Sequence, residues 1–408
     1  MIALYLLILV DSISVSVVIP LLGPLLIDPE TQVFLIGSPL PLRSFVSGLL
    51  MAAYVFPMLY MAPVLGRLSD QLGRRTVLLG CGIGVLLGNL LAGAAIEEQG
   101  LALLILGRLV GGATAAAQPT AQAALVDMGT NKARHLSFSL LSSSLGFVIG
   151  PVVASSLSSY SLAGPFYFCA VLTALAVVLL LLTYRDAPVR RRRVDWSAIS
   201  IFEGVRCFRD AATDEAVRGI LACFVLMQVA WGSYFVFVSV FLMEGASLDL
   251  SLHQVGIFMS VMGVGFCLAN GLVQPFLARF FRMRTLAVLG LALNAAAMLV
   301  CLVLVRPYQE YAMALVAGVT VNIAYPSIVT MLSDRVTGER QGWILGMVGS
   351  AAAMGWGVSS LLSGALGGLG HALPIVLAAA LMAMAALAML SAGSQWSDPA
   401  ESLPQKPL

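Results

Sequence analysis

Along this chain apolar residues do not alternate with polar ones; they run together in blocks of about twenty, separated by short polar breaks. A window of roughly 20 residues, the helix length that crosses a ~30 Å hydrocarbon layer, picks out twelve such blocks. They lie at residues 3–26, 44–66, 76–95, 101–126, 136–160, 163–184, 218–242, 254–277, 285–305, 309–332, 342–364 and 371–391. The pattern predicts an all-α membrane protein with twelve transmembrane helices, numbered here as spans 1 to 12. The apolar stretch that begins at Met1 lacks a basic leading segment and continues through Leu26 with Asp11 inside it, so it reads as the first span and not as a cleavable signal.

The polar breaks carry the orientation. If the N-terminus is cytoplasmic, the cytoplasmic breaks and the tail hold 19 of the 22 basic residues, the densest run being Arg190 to Arg193. Arg43 and Arg306 fall on the other side and Arg108 lies inside span 4. Positive charge kept on one side predicts both termini in the cytoplasm of a cell inner membrane.

Composition agrees with the pattern: 60% of the 408 residues are hydrophobic, 10% are charged, and mean hydropathy is +0.97. That apolar excess is too large for a core surrounded by water. A formal charge of +2 offers no dense basic face for nucleic acid. Cys81, Cys169, Cys207, Cys223, Cys267 and Cys301 are scattered singly, with no CxxC or His–Cys cluster, so neither disulfides nor a metal site is expected.

The longest polar stretch, 185–217, sits near the midpoint and divides six spans from six. Within it Trp196, Ile199, Phe202, Val205 and Phe208 recur every three residues while Glu203, Arg206 and Arg209 take other faces, as in a helix on a membrane surface. The organisation expected is an N-terminal bundle at 1–184, this linker, a C-terminal bundle at 218–391 and a tail at 392–408. Features recur 207 to 209 positions apart: Thr76 with Thr285, Asp127 with Asp334, Gly150 with Gly357, and Pro119 with Pro326. Two pseudo-symmetric six-helix halves are the plan of a carrier whose substrate path runs between repeats.

The most specific motif lies between spans 2 and 3, where Gly66, Leu68, Asp70, Gly73, Arg74 and Arg75 stand at fixed spacing. Glycine at 66 permits close helix approach, glycine at 73 a tight turn, and Asp70 can pair with basic groups or cap a neighbouring helix. A basic loop that merely sets topology accounts for the arginines but not for the glycines and Asp70. The motif resembles the signature loop of the major facilitator superfamily, and the resemblance extends over nearly the whole chain. It implies that fold, and a cytoplasmic gate built on Gly66, Asp70, Gly73, Arg74, Arg75 and Asp127 that breaks when the carrier opens inward. The second half has Arg279 where Asp70 stood, so the gate is expected to be asymmetric.

Span 5 contains Gly146, Gly150 and Pro151 followed by Ala154 and Ser155, similar to the family's antiporter motif with its last two glycines replaced. Packing of small residues accounts for the same pattern.

Ionisable groups deep in the membrane are costly and so are functional candidates by default. Asp11 in span 1 and Arg108 in span 4 are the two clearly mid-membrane ones. At ~1.5 Å per residue their heights differ by only about 7 Å, so they can meet or share a cavity. Arg108 with Gly112 resembles the family's fourth-span motif, and Asp11 resembles the first-span acid of tetracycline-exporter-like drug:proton antiporters. The resemblance implies that the two couple transport to protons; a permanent ion pair that only packs the half is the structural alternative. Gln118, Gln122, Gln228, Asn270, Asn294 and Asn322 can bond a ligand or glue helices, and Trp231 and Tyr234 suit an apolar pocket or plain packing.

The expectation is a secondary transporter, not an enzyme, that works by alternating access as a monomer without cofactor or metal. It takes a small-molecule substrate and protons as partners in the lipid bilayer, and exports amphipathic compounds. Proton-coupled import of a metabolite or siderophore is the alternative. A channel does not need the half-to-half symmetry, and the chain has no HExxH, GxSxG or P-loop.

Overall fold

A computed structural model of the chain describes residues 1–29, 31–128, 132–186, 201–245, 248–336 and 341–391. Among them the regular structure is helical, and eleven helices are long and apolar enough to cross a membrane. A twelfth, Gln341–Gly367, stands where span 11 is expected. Spans 1 to 10 are Ile2–Ile27, Leu40–Leu72, Arg74–Glu97, Leu101–Met128, Lys132–Ser158, Gly164–Thr183, Arg218–Glu244, Leu252–Leu277, Met283–Cys301 and Pro307–Ser333, and span 12 is Leu373–Ser391. Arg190 to Arg193, Trp196, Ile199 and the 392–408 tail lie outside the described residues.

Successive spans run in opposite directions. The face that bears the start of span 1 is called the near face, and its opposite the far face. Span 1 packs on spans 5 and 6, and span 3 on spans 4 and 6; in the second half span 9 packs on 10 and 12, and span 7 on 11 and 12. Spans 2 with 11 and 5 with 8 join the halves.

Those two junctions are equivalent under the half-to-half repeat, and both depend on missing side chains. A Cβ on Gly48 of span 2 would meet the Ser360 carbonyl of span 11, and one on Gly256 of span 8 would lie 2.8 Å from the Pro151 carbonyl of span 5. Backbones at that distance exclude any larger residue. With Gly23 of span 1 pressed on Val240 of span 7, and Gly368 just after span 11 on Pro41 of span 2, the far face is sealed.

Prolines shape the spans unequally. Span 4, expected as one helix over 101–126, is two helices, Leu101–Ala113 and Ala117–Met128. The Pro119 ring clashes with the carbonyl four residues earlier, that of Ala115, in the middle of the break. Its counterpart Pro326 leaves span 10 continuous, where the Thr330 hydroxyl donates to the Pro326 carbonyl at 2.8 Å and the Ser327 hydroxyl to Ile323 at 2.7 Å. In span 8 a π turn, Ala269–Val273, precedes Pro275 and carries Asn270.

The signature loop is shorter than the sequence suggests. Span 2 continues for 33 residues, roughly 50 Å, so Gly66 to Leu72 are helical and Gly73 alone forms the turn, at φ 96°. A linker helix, Glu203–Thr213, then crosses beneath the near ends of spans 2, 7 and 11, with Gly204 and Ala211 buried against them.

Candidate functional site

Span 1 brings Asp11 and Ser14, span 2 Tyr54, span 3 Asn89 and span 4 Arg108 to one cavity of about 20 Å³ inside the first half, room for about one water molecule. Close backbone contact makes this geometry possible: a Cβ on Gly107 would lie 2.9 Å from the Gly88 carbonyl, so spans 3 and 4 touch without side chains between them. Arg108 then reaches across to span 2. Its guanidinium carbon sits 4.4 Å above the Tyr54 ring, and its Nε donates to the Leu50 carbonyl at 3.3 Å.

Asp11 and Arg108 share this cavity but are not among the ion pairs of the described residues, so the permanent packing pair is not the arrangement in this conformation. The arginine is held by a π face and a carbonyl in this conformation. Asn89 Nδ2, on the cavity wall, has no hydrogen-bond partner among the described residues, and Ser14 Oγ has the Cys169 thiol beside it. Tyr54, Ser14 and Asn89 were not singled out from sequence, because little local sets them apart from the other uncharged polar residues of the spans. A tyrosine near mid-span and asparagine in a run of small residues were the available signs.

At the near face the signature residues form one network within the first half. Arg74 pairs with Asp70 at 2.6 Å and with Asp127 at 3.1 Å, and also donates to Ser69 at 2.5 Å. The capping role that the sequence offers to Asp70 falls to Asp186, which accepts from the Arg75 amide at 2.8 Å and occupies the space a side chain at Gly73 would need. The Arg75 guanidinium donates to the Leu181 carbonyl at 2.6 Å. Tyr184, just beyond span 6, is pushed up to about 12 by burial, with further upward pressure from Asp186 and Asp127. Arg67, at a variable position of the signature, reaches out of its own half: it pairs with Glu203 on the linker helix, while Tyr60 meets Phe202 edge-on at 6.0 Å. Gly66 has open space around its Cα.

In span 5, Gly146 and Gly150 press on span 1 at Ser12 and Ser16, and the Ser16 hydroxyl donates to the Gly146 carbonyl at 2.9 Å. Pro151 and Ser155 face Gly256 across the junction of the halves. The antiporter-like motif therefore joins a tight packing surface to an inter-half contact.

The candidate substrate residues separate into groups. Asn270 Nδ2 donates to Ser144 of span 5 at 3.3 Å and to Asn322 of span 10 at 3.4 Å, a polar bridge between halves. Trp231 stacks on Phe235 at 5.4 Å, and Phe235 and Phe266 meet Phe147 of span 5 at 6.2 and 5.8 Å, so aromatic rings from both halves form one plug. Gln118 and Gln122 are half-buried on the second segment of span 4. Asn294 is buried as glue between spans 9 and 10, donating to Ala317 and Thr320 at 2.9 Å each. Gln228 is packed against Gly355 of span 11, and the Tyr234 hydroxyl lies 3.5 Å from Cys301 Sγ in the interior of the second half.

Twelve spans in two joined halves, a charged cavity between spans 1 and 4 and a basic signature turn define a membrane carrier. The sequence profile of the Major Facilitator Superfamily matches residues 4–249 and 243–408, and the chain belongs to that family. It is 27% identical over 353 residues to the class C tetracycline resistance protein of Escherichia coli, covering 84% of this chain and 83% of that protein. It is 23% identical over 361 residues to the quinolone resistance protein NorA of Staphylococcus aureus, covering 85% and 86%. Among solved structures, the human organic anion transporter MFSD10 superposes with TM-score 0.70 at 18% identity, over 95% of this chain and 98% of that one. The protein is a multi-span membrane transporter that moves small molecules, and it is not an enzyme.

Proposed function

We propose that the protein exports amphipathic small molecules in exchange for protons, by alternating access between bundles 1–184 and 218–391, with the 185–217 linker tying them together. The observation that carries this reading is the cavity that Asp11 shares with Arg108 without an ion pair. A carboxylate that can gain or lose an arginine partner between conformations can bind a proton in one and release it in the other. The inter-half aromatic plug, with amides rather than charges beside it, suits ligands that shed little hydration. The kinship with tetracycline and quinolone resistance proteins supports export.

The near face is cytoplasmic on the distribution of basic residues, in an inner membrane of bacterial type, and Gly66, Asp70, Gly73, Arg74, Arg75 and Asp127 form the gate there. Both halves lie in one chain, and it acts as a monomer. The test is flux into inside-out proteoliposomes with an imposed pH gradient, using tetracycline, a quinolone and a panel of sugars and iron chelates. Uphill accumulation of the lipophilic compounds, collapsed by an uncoupler and independent of ATP, is expected. Flux that follows sodium and ignores pH overturns the coupling, and gradient-driven movement of a single hydrophilic nutrient overturns export.

A further inference from the structure

The first turn of span 10 holds a carboxylate that the mechanism above does not use. Glu310 is fully buried, with an exposure of 0%, and among the described residues no N–H or O–H group donates to either carboxylate oxygen; its hydrogen-bonding neighbour is the Cys301 thiol, a weak donor. No ion pair of the described residues includes it. Arg306, four residues earlier, is exposed and donates instead to Tyr308 at 3.3 Å. The ionisable groups that interact with Glu310 are Cys301 at the end of span 9 and Tyr234 in span 7. Both are buried, and they lie 3.5 Å from each other. Among the described residues, spans 8 and 11 bring no ionisable group to it.

An acid in the first turn of a helix ordinarily lies in water and accepts from the free amides at that end. Glu310 does neither, so the helix dipole does not account for its placement. An ionised carboxylate with only a thiol to donate to it and no counter-charge in such a site is costlier than a neutral carboxylic acid.

We infer that Glu310 is a second proton-binding site of the carrier, holding its proton while the far face is sealed and exchanging it with the far-side solution when that face opens. This rests on the proton-coupled reading above. Glu310 stands three residues from the start of span 10, roughly 4.5 Å along the axis, beneath a turn whose Val303 and Val305 are exposed. The far-side medium is therefore its nearest water. Tyr234 lies on the same span as Val240, which Gly23 presses at the far-side seal, so releasing that contact loosens the packing over the carboxyl. Each half then contributes one proton-binding carboxylate, Asp11 in the first and Glu310 in the second.

The experiment is infrared difference spectroscopy of the full chain in lipid nanodiscs at neutral pH, without ligand, before and after transfer to heavy water. A protonated-carboxyl band that exchanges slowly is expected in the wild type and in Asp11→Asn, and its loss is expected in Glu310→Gln. Glu310→Asp should shift the band without removing it, which keeps the test open if the glutamine variant does not fold. In Gly256→Leu, whose side chain would intrude on the Pro151 carbonyl at the far-face seal, exchange of the band should be at least about tenfold faster. A band that survives in folded Glu310→Gln, the absence of any such band in the wild type, or exchange that ignores far-side opening each overturns the proposal. A wild-type protein that shows the band yet transports without regard to pH overturns the coupling reading alone.

Discussion

At the scale of single residues, the arrangement around Arg108 separates electrostatics from shape. The guanidinium rests on the Tyr54 ring and on one backbone carbonyl, so its charge is held while Asp11 stays unpaired. A cation over an aromatic face contributes about 0.5 to 2 kcal/mol. Tyr54→Leu should therefore slow pH-driven flux by roughly 2- to 30-fold, while Tyr54→Phe, which keeps the face, stays near wild type. Asp11→Asn preserves shape and removes the titratable proton; uphill transport should vanish while counterflow exchange of the transported compound persists. Uphill transport retained in Asp11→Asn would remove that residue from the coupling. The deep placement of Asp11 and Arg108 was legible in the sequence, because a charge in hydrocarbon announces itself. That Arg108 would rest on Tyr54 and not on Asp11 was not legible, since that contact joins positions 54 residues apart.

At the scale of elements, glycine positions decide which helices touch. A Cβ on Gly263 of span 8 would lie 2.6 Å from the Phe147 carbonyl of span 5, beside the aromatic plug. Gly263→Leu should cost the sealed conformation about 1 to 3 kcal/mol through overpacking, enough to bring an open far face into view. Spin labels on the far ends of spans 5 and 8 would report a longer distance; an unchanged distance would mean that the seal does not depend on this contact. The break in span 4 shows where periodicity misleads. Both halves place a proline at the equivalent position, yet only Pro119 divides its helix, so the proline alone does not decide the break.

At the scale of the whole molecule, the near face is spanned by the linker helix. Gly204 fits between the Leu59 carbonyl of span 2 and the Ser350 hydroxyl of span 11, and Glu203 pairs with Arg67. The helix thus touches both halves and must shift when they rock. Arg67 and Glu203 are partly exposed, at 41% and 24%, so the pair is worth at most about 1 kcal/mol. Arg67→Glu should change labelling of near-face cysteine probes by no more than a few-fold, and the charge-swapped double variant with Glu203→Arg should restore it. Restoration by Glu203→Gln instead would show that repulsion, not pairing, was at work.

Sequence by itself determined the number and order of the spans, the signature turn, the repeat, and the two mid-membrane charges. Each follows from one physical fact: lipid cannot hydrate charge or bare backbone, so block length and the placement of arginines are constrained locally. Glu310 shows the limit of such reading. It lies at the edge of an apolar block, where an acid is ordinarily wet, and only the packing of spans 7, 9 and 10 around it makes it fully buried. The aromatic plug, the Asn270 bridge to Ser144 and the Arg67 contact with Glu203 likewise join residues far apart in the chain. Hydrophobicity says that a residue lies in the membrane; which neighbour it meets there is decided by how closely the backbones can pack.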